Sequence, residues 1–205
     1  MHSSGLAALM VAASLASALP AAAQDRPPSA PTRDVAISYR TFGPVRGAQK
    51  QQDIRVAMTA GGALMRVEGM GGATGVGYVI VDRNAQRMTM VMPQDRRFLD
   101  MPANEVFAGG FLLDDRMTFA RRGSATVAGL KCTTWDVTSA EGKGTVCVTA
   151  DGVMLRGQGA GGRGGIEATS VKFGPQPAAL FHPPAGFSKL EMPAGALPGA
   201  RPPGR

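Results

Sequence analysis

The two cysteines of the chain, Cys132 and Cys147, are its clearest candidates for side-chain chemistry. They are not spaced as C-x-x-C, so a thioredoxin-type redox motif is absent. A structural zinc site needs about four ligands, and beyond the first few residues the chain has only one histidine, His182. The sequence therefore predicts no metal here. It favours a structural disulfide, which an oxidising compartment permits.

The segments on either side of these cysteines predict a β-hairpin. Residues 130–138 and 144–149 are rich in Thr and Val, and Ser-Ala-Glu-Gly-Lys between them is a turn signal. Paired around that turn, Cys132 and Cys147 should sit opposite one another, within disulfide reach. Trp135 should point to the other face from Cys132, because their separation is odd.

Other residues that are capable of chemistry form no complete catalytic pattern. His182 lies in FHPP, and the nucleophile motif G-x-S-x-G is absent. Asp114 and Asp115 adjoin Arg116, which indicates a solvated loop. The glycine-rich stretch 157–162 matches G-x-G-x-x-G, but β-like residues follow it instead of the required helix. We therefore expect a protein that is not an enzyme and has no cofactor.

Three methionines, Met88, Met90 and Met92, alternate along one predicted strand and so share a face. They have three interpretations. They are part of a filled core, or they line an adaptable apolar cavity, or their thioethers bind Cu(I). No cluster of His or Cys accompanies them in the sequence.

The N-terminal segment has the layout of a secretory signal. An apolar run at 5–19 precedes Pro20 and an A-x-A-type site at 21–23. The alternative is an uncleaved anchor, but the run is shorter than the ~18–20 residues that span a bilayer. We expect a signal peptide at 1–23, periplasmic or secreted localisation, and no transmembrane segment in the mature chain.

The formal net charge of +7 falls entirely beyond residue 23, because residues 1–23 contain no Lys, Arg, Asp or Glu. In an exported protein this charge favours anionic envelope surfaces as partners, and not nucleic acid. The alternative is that interspersed charges, as in QDRR at 94–97, simply keep the domain soluble.

Short alternating segments predict the fold. They occur throughout 33–190, including 117–121 and 125–127, with turn signals at close intervals. This pattern predicts a single mainly β domain, a strongly curved antiparallel sheet or half-barrel of about ten short strands. At most one or two short helices are expected, one of them within 102–113. The Pro-rich stretch 24–32 is predicted to be a linker, and 191–205 a disordered Pro/Gly/Ala tail.

Several stretches together resemble a known family. They are LMRVE (64–68), YVIVDRNAQRMTMVMPQDRRFLDMP (78–102), GLKCTTWDV (129–137), GTVCVTADGVMLR (144–156) and LFHPPAGFSKLEMP (180–193). The pattern resembles an uncharacterised bacterial exported domain-of-unknown-function family, similar in architecture to periplasmic lipoprotein carriers. The resemblance implies a half-barrel with an apolar concave face and no known catalytic residues. Carriers fill the mouth of the half-barrel with helices, whereas helical signal is weak in this chain.

Two functions are predicted. The first is a non-enzymatic periplasmic protein that binds a hydrophobic or lipid-like ligand, or an envelope protein, on the concave face. The alternative is an envelope structural or interaction protein with a filled core and a basic surface that contacts anionic polymers. The candidate ligand-binding residues are Ile54, Val56, Met58, Met65, Val67, Met88, Met90 and Met92.

Overall fold

Alternation of apolar and polar residues builds the strands. In Asp53–Met58, for example, the side chains of Ile54, Val56 and Met58 are buried while Asp53 and Arg55 are exposed. Successive side chains of a strand point to opposite faces, so this pattern commits one face of each strand to the core. We call the core-facing side of the sheet the inner face and the opposite side the outer face.

The computed structural model describes most of the chain. The described residues are 26–43, 51–69, 77–103, 111–140, 142–159, 161 and 164–191. The predicted signal peptide and residues 192–205 of the predicted tail lie outside them. No helix within the described ranges is long and apolar enough to cross a membrane.

Twelve strands form one curved, open sheet. The strands are β1 (Val35–Phe42), β2 (Asp53–Met58), β3 (Leu64–Glu68), β4 (Tyr78–Asp82), β5 (Arg87–Met92), β6 (Arg97–Pro102), β7 (Thr118–Val127), β8 (Leu130–Ser139), β9 (Gly142–Val148), β10 (Met154–Gly159), β11 (Gly165–Phe173) and β12 (Ser188–Lys189). Their spatial order is β12-β6-β5-β4-β3-β2-β1-β11-β10-β9-β8-β7. All neighbours are antiparallel except β12 and β6, which are parallel. The predicted mainly β, half-barrel-like architecture is confirmed.

Two details of the sheet differ from the sequence prediction. The candidate strands at 117–121 and 125–127 are one strand, β7, whose register shifts between Arg121 and Gly123. The bulge allows β7 to continue past Gly123, where the alternating pattern of the sequence is interrupted. The short strand β12 was not predicted, because two residues give no periodic signal.

Two 3₁₀ turns are described in full, Ala60–Gly62 and Ala178–Phe181. Of the segment 102–113, where a short helix was predicted, residues 104–110 lie outside the described residues. The second 3₁₀ turn packs on the outer face, where buried Phe181 contacts a small cluster with Tyr78, Ile80 and Val91. The strand β4 is therefore buried on both faces.

The Pro-rich segment that was predicted to be a linker is packed against the domain from residue 26 onward. Pro31 is fully buried, and Ala30 contacts the inner core. Its backbone is also held in place, because Thr32 N–H donates to the Asp151 carbonyl at 2.9 Å and Gly61 N–H donates to the Pro31 carbonyl at 2.7 Å. Proline fixes the local φ angle, so this segment loses less conformational freedom when it packs against the domain.

Candidate functional site

The eight candidate ligand-binding residues come from three strands and share the inner face. They lie at alternate positions of β2, β3 and β5. Six of them, all except Met90 and Met92, are at most 5% exposed and belong to the main core cluster. Met90 is partly buried against that cluster, and Met92 is half-buried opposite Arg97. The predicted set therefore forms one surface, and most of it is enclosed.

Two side chains from outside the sheet, Phe111 and Leu112, pack in the same core as this surface. Phe111 and Leu112 are each 6% exposed and join the same core cluster. The Phe111 ring lies 5.6 Å from the Tyr39 ring, centroid to centroid. Leu112 lies close to Gly62, where an added β-carbon would come within 3.2 Å of the leucine methyl groups. Phe111 and Leu112 thus occupy part of the inner face, and a ligand there remains a prediction.

Tyr39, which is not among the predicted site residues, is the main polar feature of the inner face. Its side chain is 1% exposed, and its hydroxyl donates to the Met154 carbonyl at 2.8 Å. Burial raises the pKa of this phenol well above its ordinary value. The hydrogen bond joins β1 to β10, which are not neighbours in the sheet.

The predicted disulfide is present between Cys132 and Cys147, with their α-carbons 5.4 Å apart. The register differs from the expected one. Cys147 pairs with Thr134, so the cysteines are not directly opposed and the disulfide crosses the hairpin obliquely. The two cysteines belong to the inner core, whereas Trp135 packs in a separate cluster with Val146, on the opposite face as predicted.

The described residues supply no additional ligand cluster for a Cu(I) site at Met88, Met90 and Met92. Among the described residues, no group of three or more His, Cys, Asp or Glu side chains is placed to hold a metal ion. Met88 is 2% exposed and packs in the core. The structure thus places Met88 in an apolar environment, and thioether binding of copper stays an untested hypothesis.

The remaining chemically capable residues are spread over the surface. The Asp114 carboxylate pairs with Arg116 at 2.6 Å, and Asp115 pairs with Arg26 at 3.2 Å. Hydrogen bonds from the Arg116 side chain and backbone lower the pKa of Asp114. His182 is exposed and lies at the rim of a pocket on the outer face. These groups do not converge on a single site.

The outer face carries polar and charged side chains in regular rows across β11, β1, β2 and β3. One row runs Ser170, Ser38, Arg55 and Glu68, each opposite the next on a neighbouring strand. The adjacent row runs Lys172, Ala36, Ala57 and Arg66. Since cross-strand neighbours lie about 5 Å apart, these eight residues form one continuous patch.

A groove of about 270 Å³ lies over this patch. All eight of the row residues line it, together with Gln176 and Leu180 from the segment that follows β11. The small side chains of Ala36 and Ala57 leave the groove open between the larger residues of the neighbouring strands. This site was not predicted, because no single stretch of sequence contains it.

Comparison with known proteins gives a family and a fold. Residues 47–157 match the family model described as "Domain of unknown function (DUF4412)". No curated protein matches the sequence. The crystal structure of an uncharacterized conserved protein from Thermus thermophilus is similar, with a TM-score of 0.54 at 11% identity, over 78% of this chain and 90% of that one.

Two further solved structures are more distant. One is the MucA/MucB complex of Pseudomonas aeruginosa, with a TM-score of 0.42 at 16% identity, over 72% of this chain and 54% of that one. The other is a DUF1329 family protein from Desulfovibrio piger, with a TM-score of 0.37 at 11% identity, over 74% and 90%. The family match covers more than half of the chain, including all of β2 to β9. The chain belongs to the DUF4412 family.

Proposed function

We propose that this protein is exported to the bacterial envelope and acts there without catalysis, as an interaction protein that meets anionic envelope material through basic side chains. The observation that carries the proposal is the packing of the inner face. Six of the eight residues that were candidates for a ligand cavity are at most 5% exposed and belong to the same core cluster as Phe111 and Leu112. The partner therefore binds to the outer surface of the molecule.

Charge and disulfide chemistry support this proposal. The chain has 22 Lys and Arg against 15 Asp and Glu. Exposed basic residues with no acidic partner in the described part of the chain include Arg55, Arg97, Arg121 and Lys172. Excess positive charge attracts anionic surfaces at about 1 kcal/mol per basic residue near them. The disulfide fits an oxidising compartment.

Vesicle co-sedimentation tests the proposal. The protein should bind phosphatidylglycerol vesicles more tightly than phosphatidylcholine vesicles, and the difference should shrink as NaCl screens the charges. Replacing Arg96→Glu together with Arg97→Glu should weaken binding at least about tenfold, because it reverses two charges. The matched control is Arg96→Lys with Arg97→Lys, which keeps both charges and should bind like the native protein.

Two results would contradict the proposal. One is equal binding to both kinds of vesicle at low salt. The other is a lipid adduct in native mass spectrometry of the purified protein that disappears on Met90→Asp while the fold persists. The second result would favour a hydrophobic ligand on the inner face, beside the partly buried Met90 and Met101.

A further inference from the structure

We propose that the outer-face groove binds a phosphate group, either as free phosphate or as the phosphate ester of a lipid or envelope polymer. The inference rests on the proposed function, because it identifies the anionic group of the partner as a phosphate and its binding site as the groove. The basis is the arrangement of charge in three successive cross-strand rows, which leaves two cations without carboxylate partners at one groove.

The row next to the groove is electrically paired. It runs Arg156, Glu167, Arg40 and Asp53 across β10, β11, β1 and β2. Arg156 forms an ion pair with Glu167, and Arg40 Nε lies 3.2 Å from Asp53 Oδ1. Each cation in this row therefore has its own carboxylate, so this row has no cation to offer an anionic ligand.

Within the groove, Arg66 is also neutralised and fixed in place. Its Nη2 lies 2.8 Å from Glu68 Oε1, and its Nε donates to the same oxygen. Its guanidinium carbon lies 3.5 Å above the centre of the Tyr78 ring, and its Nη1 donates to the Leu180 carbonyl at 3.2 Å. Arg66 and Glu68 thus form a rigid wall with little net charge.

Arg55 and Lys172 differ from Arg66 in having no partner for their charge among the described residues. Both are exposed, and neither forms an ion pair or a side-chain hydrogen bond with any described residue. Arg55 lies opposite Glu68 in the register, but that carboxylate is engaged with Arg66. The groove therefore holds three cations and one carboxylate, and two of the cations remain available.

The floor of the groove supplies further donors. Ser38 and Ser170 are directly opposed between the two available cations, and both are half-buried. Their hydroxyls form no hydrogen bond with the described residues. Ala36 next to them leaves room above the sheet. Hydroxyl and charged donors around an open space suit the several acceptor oxygens of a phosphate group.

The spacing allows both cations to reach one anion. Arg55 and Lys172 are two strands and one two-residue step apart, so their α-carbons are separated by about 12 Å. Both side chains are long and flexible, and they point to the same face. An anion above Ser38 would lie between them. A guanidinium also matches two phosphate oxygens at once.

Titration of the ¹⁵N-labelled protein with inorganic phosphate, followed by NMR, tests the inference. We expect saturable shifts of the amides of Ser38, Arg55, Ser170 and Lys172.

Replacing Arg55→Ala with Lys172→Ala should weaken phosphate binding at least tenfold. The control, Arg121→Ala with Lys131→Ala, removes the same charge from the exposed β7–β8 hairpin and should change affinity less than twofold. Should the groove variant fail to fold, Ala36→Leu fills the floor, keeps both charges, and should give the same loss.

The source of the phosphate is distinguished by further titrations. Glycerol phosphate and phosphatidic acid vesicles should both compete with inorganic phosphate if the groove accepts esters. Competition by glycerol phosphate alone would assign the groove to a soluble phosphate ester. Shifts that spread over the basic surface without saturation, or equal shifts with acetate at the same ionic strength, would overturn the inference.

The inference and the proposed function can fail separately. Suppose that phosphate causes no saturable shifts in the native protein, and that the groove variant binds phosphatidylglycerol vesicles like the native protein. The groove assignment is then wrong while the surface function stands. If phosphate binds the groove but no anionic vesicle is bound, the surface function is wrong while the groove assignment stands.

Discussion

Tyr39 shows how a single polar group is accommodated in the core of this protein. Its ring packs against Phe111, and its hydroxyl bonds to the Met154 carbonyl in a buried environment. A buried hydroxyl without a partner would be costly, so the hydrogen bond is what makes tyrosine acceptable at this position. The same low-polarity surroundings disfavour the phenolate and raise the pKa of Tyr39.

This environment predicts a pH dependence of stability. Tyrosine in the unfolded chain ionises near a pH of about 10, whereas folded Tyr39 keeps its proton at higher pH. The unfolded state then binds fewer protons than the folded state, so the free energy of unfolding should fall as pH rises above about 10. Tyr39→Phe should lower stability by about 1–3 kcal/mol at neutral pH and flatten this alkaline fall.

Urea unfolding of both proteins from pH 8 to 11 measures the effect. The two proteins differ at this residue alone, so the difference between the two curves isolates Tyr39. Parallel curves for the native protein and Tyr39→Phe would contradict the prediction.

At the scale of elements, the disulfide constrains the hairpin of β8 and β9. Cys132 and Cys147 are 15 positions apart in sequence and connect the inner-face sides of the two strands. On the other face, Trp135 packs edge-on against Phe119 of β7, with ring centroids 6.4 Å apart. The hairpin is therefore held covalently on one face and by aromatic packing on the other.

Replacing both cysteines, Cys132→Ser with Cys147→Ser, should lower the free energy of unfolding by about 3 kcal/mol, because the open chain gains conformational entropy in the unfolded state. Guanidinium unfolding measures the change. Reduction of the native protein serves as the control and should give a similar loss without altering any side chain. A loss below about 0.5 kcal/mol in both cases would indicate that the hairpin packing alone fixes this part of the sheet.

The segment from residue 26 to 32 packs against the sheet and its turns. The turn between β9 and β10 packs closely against this segment. Gly152 has a φ of +80°, and an added β-carbon there would lie 2.1 Å from the Ala30 carbonyl oxygen. Gly129, in the turn between β7 and β8, has nearly the same backbone (φ +78°) with nothing within 4 Å of such a β-carbon.

These two glycines form a matched pair for a test of that contact. Gly129→Ala should lower stability by about 1–2 kcal/mol, the cost of the left-handed backbone alone. Gly152→Ala should lower it by about 3 kcal/mol or more, because the segment must also move away from the turn. Thermal and urea unfolding measure both changes. Equal losses would show that the contact with Ala30 adds nothing to stability.

Local patterns in the sequence were enough to predict a β domain and a set of side chains that face the core. Alternation throughout 33–190 predicted about ten short strands, and twelve are present. It also grouped Ile54, Val56 and Met58 on one face, because a two-residue period needs no knowledge of the neighbouring strands. The cysteine pair was predictable for a similar reason, since its partners lie within one hairpin.

What lies against each face depends on the tertiary fold. The packing of Ala30, Phe111 and Leu112 into the inner core brings in segments far away in the sequence. The outer-face groove brings Arg55 and Lys172 together through the pairing of β1 with both β2 and β11. A strand's own sequence states which of its side chains share a face, but the residues opposite them are set by long-range register, which local patterns do not encode.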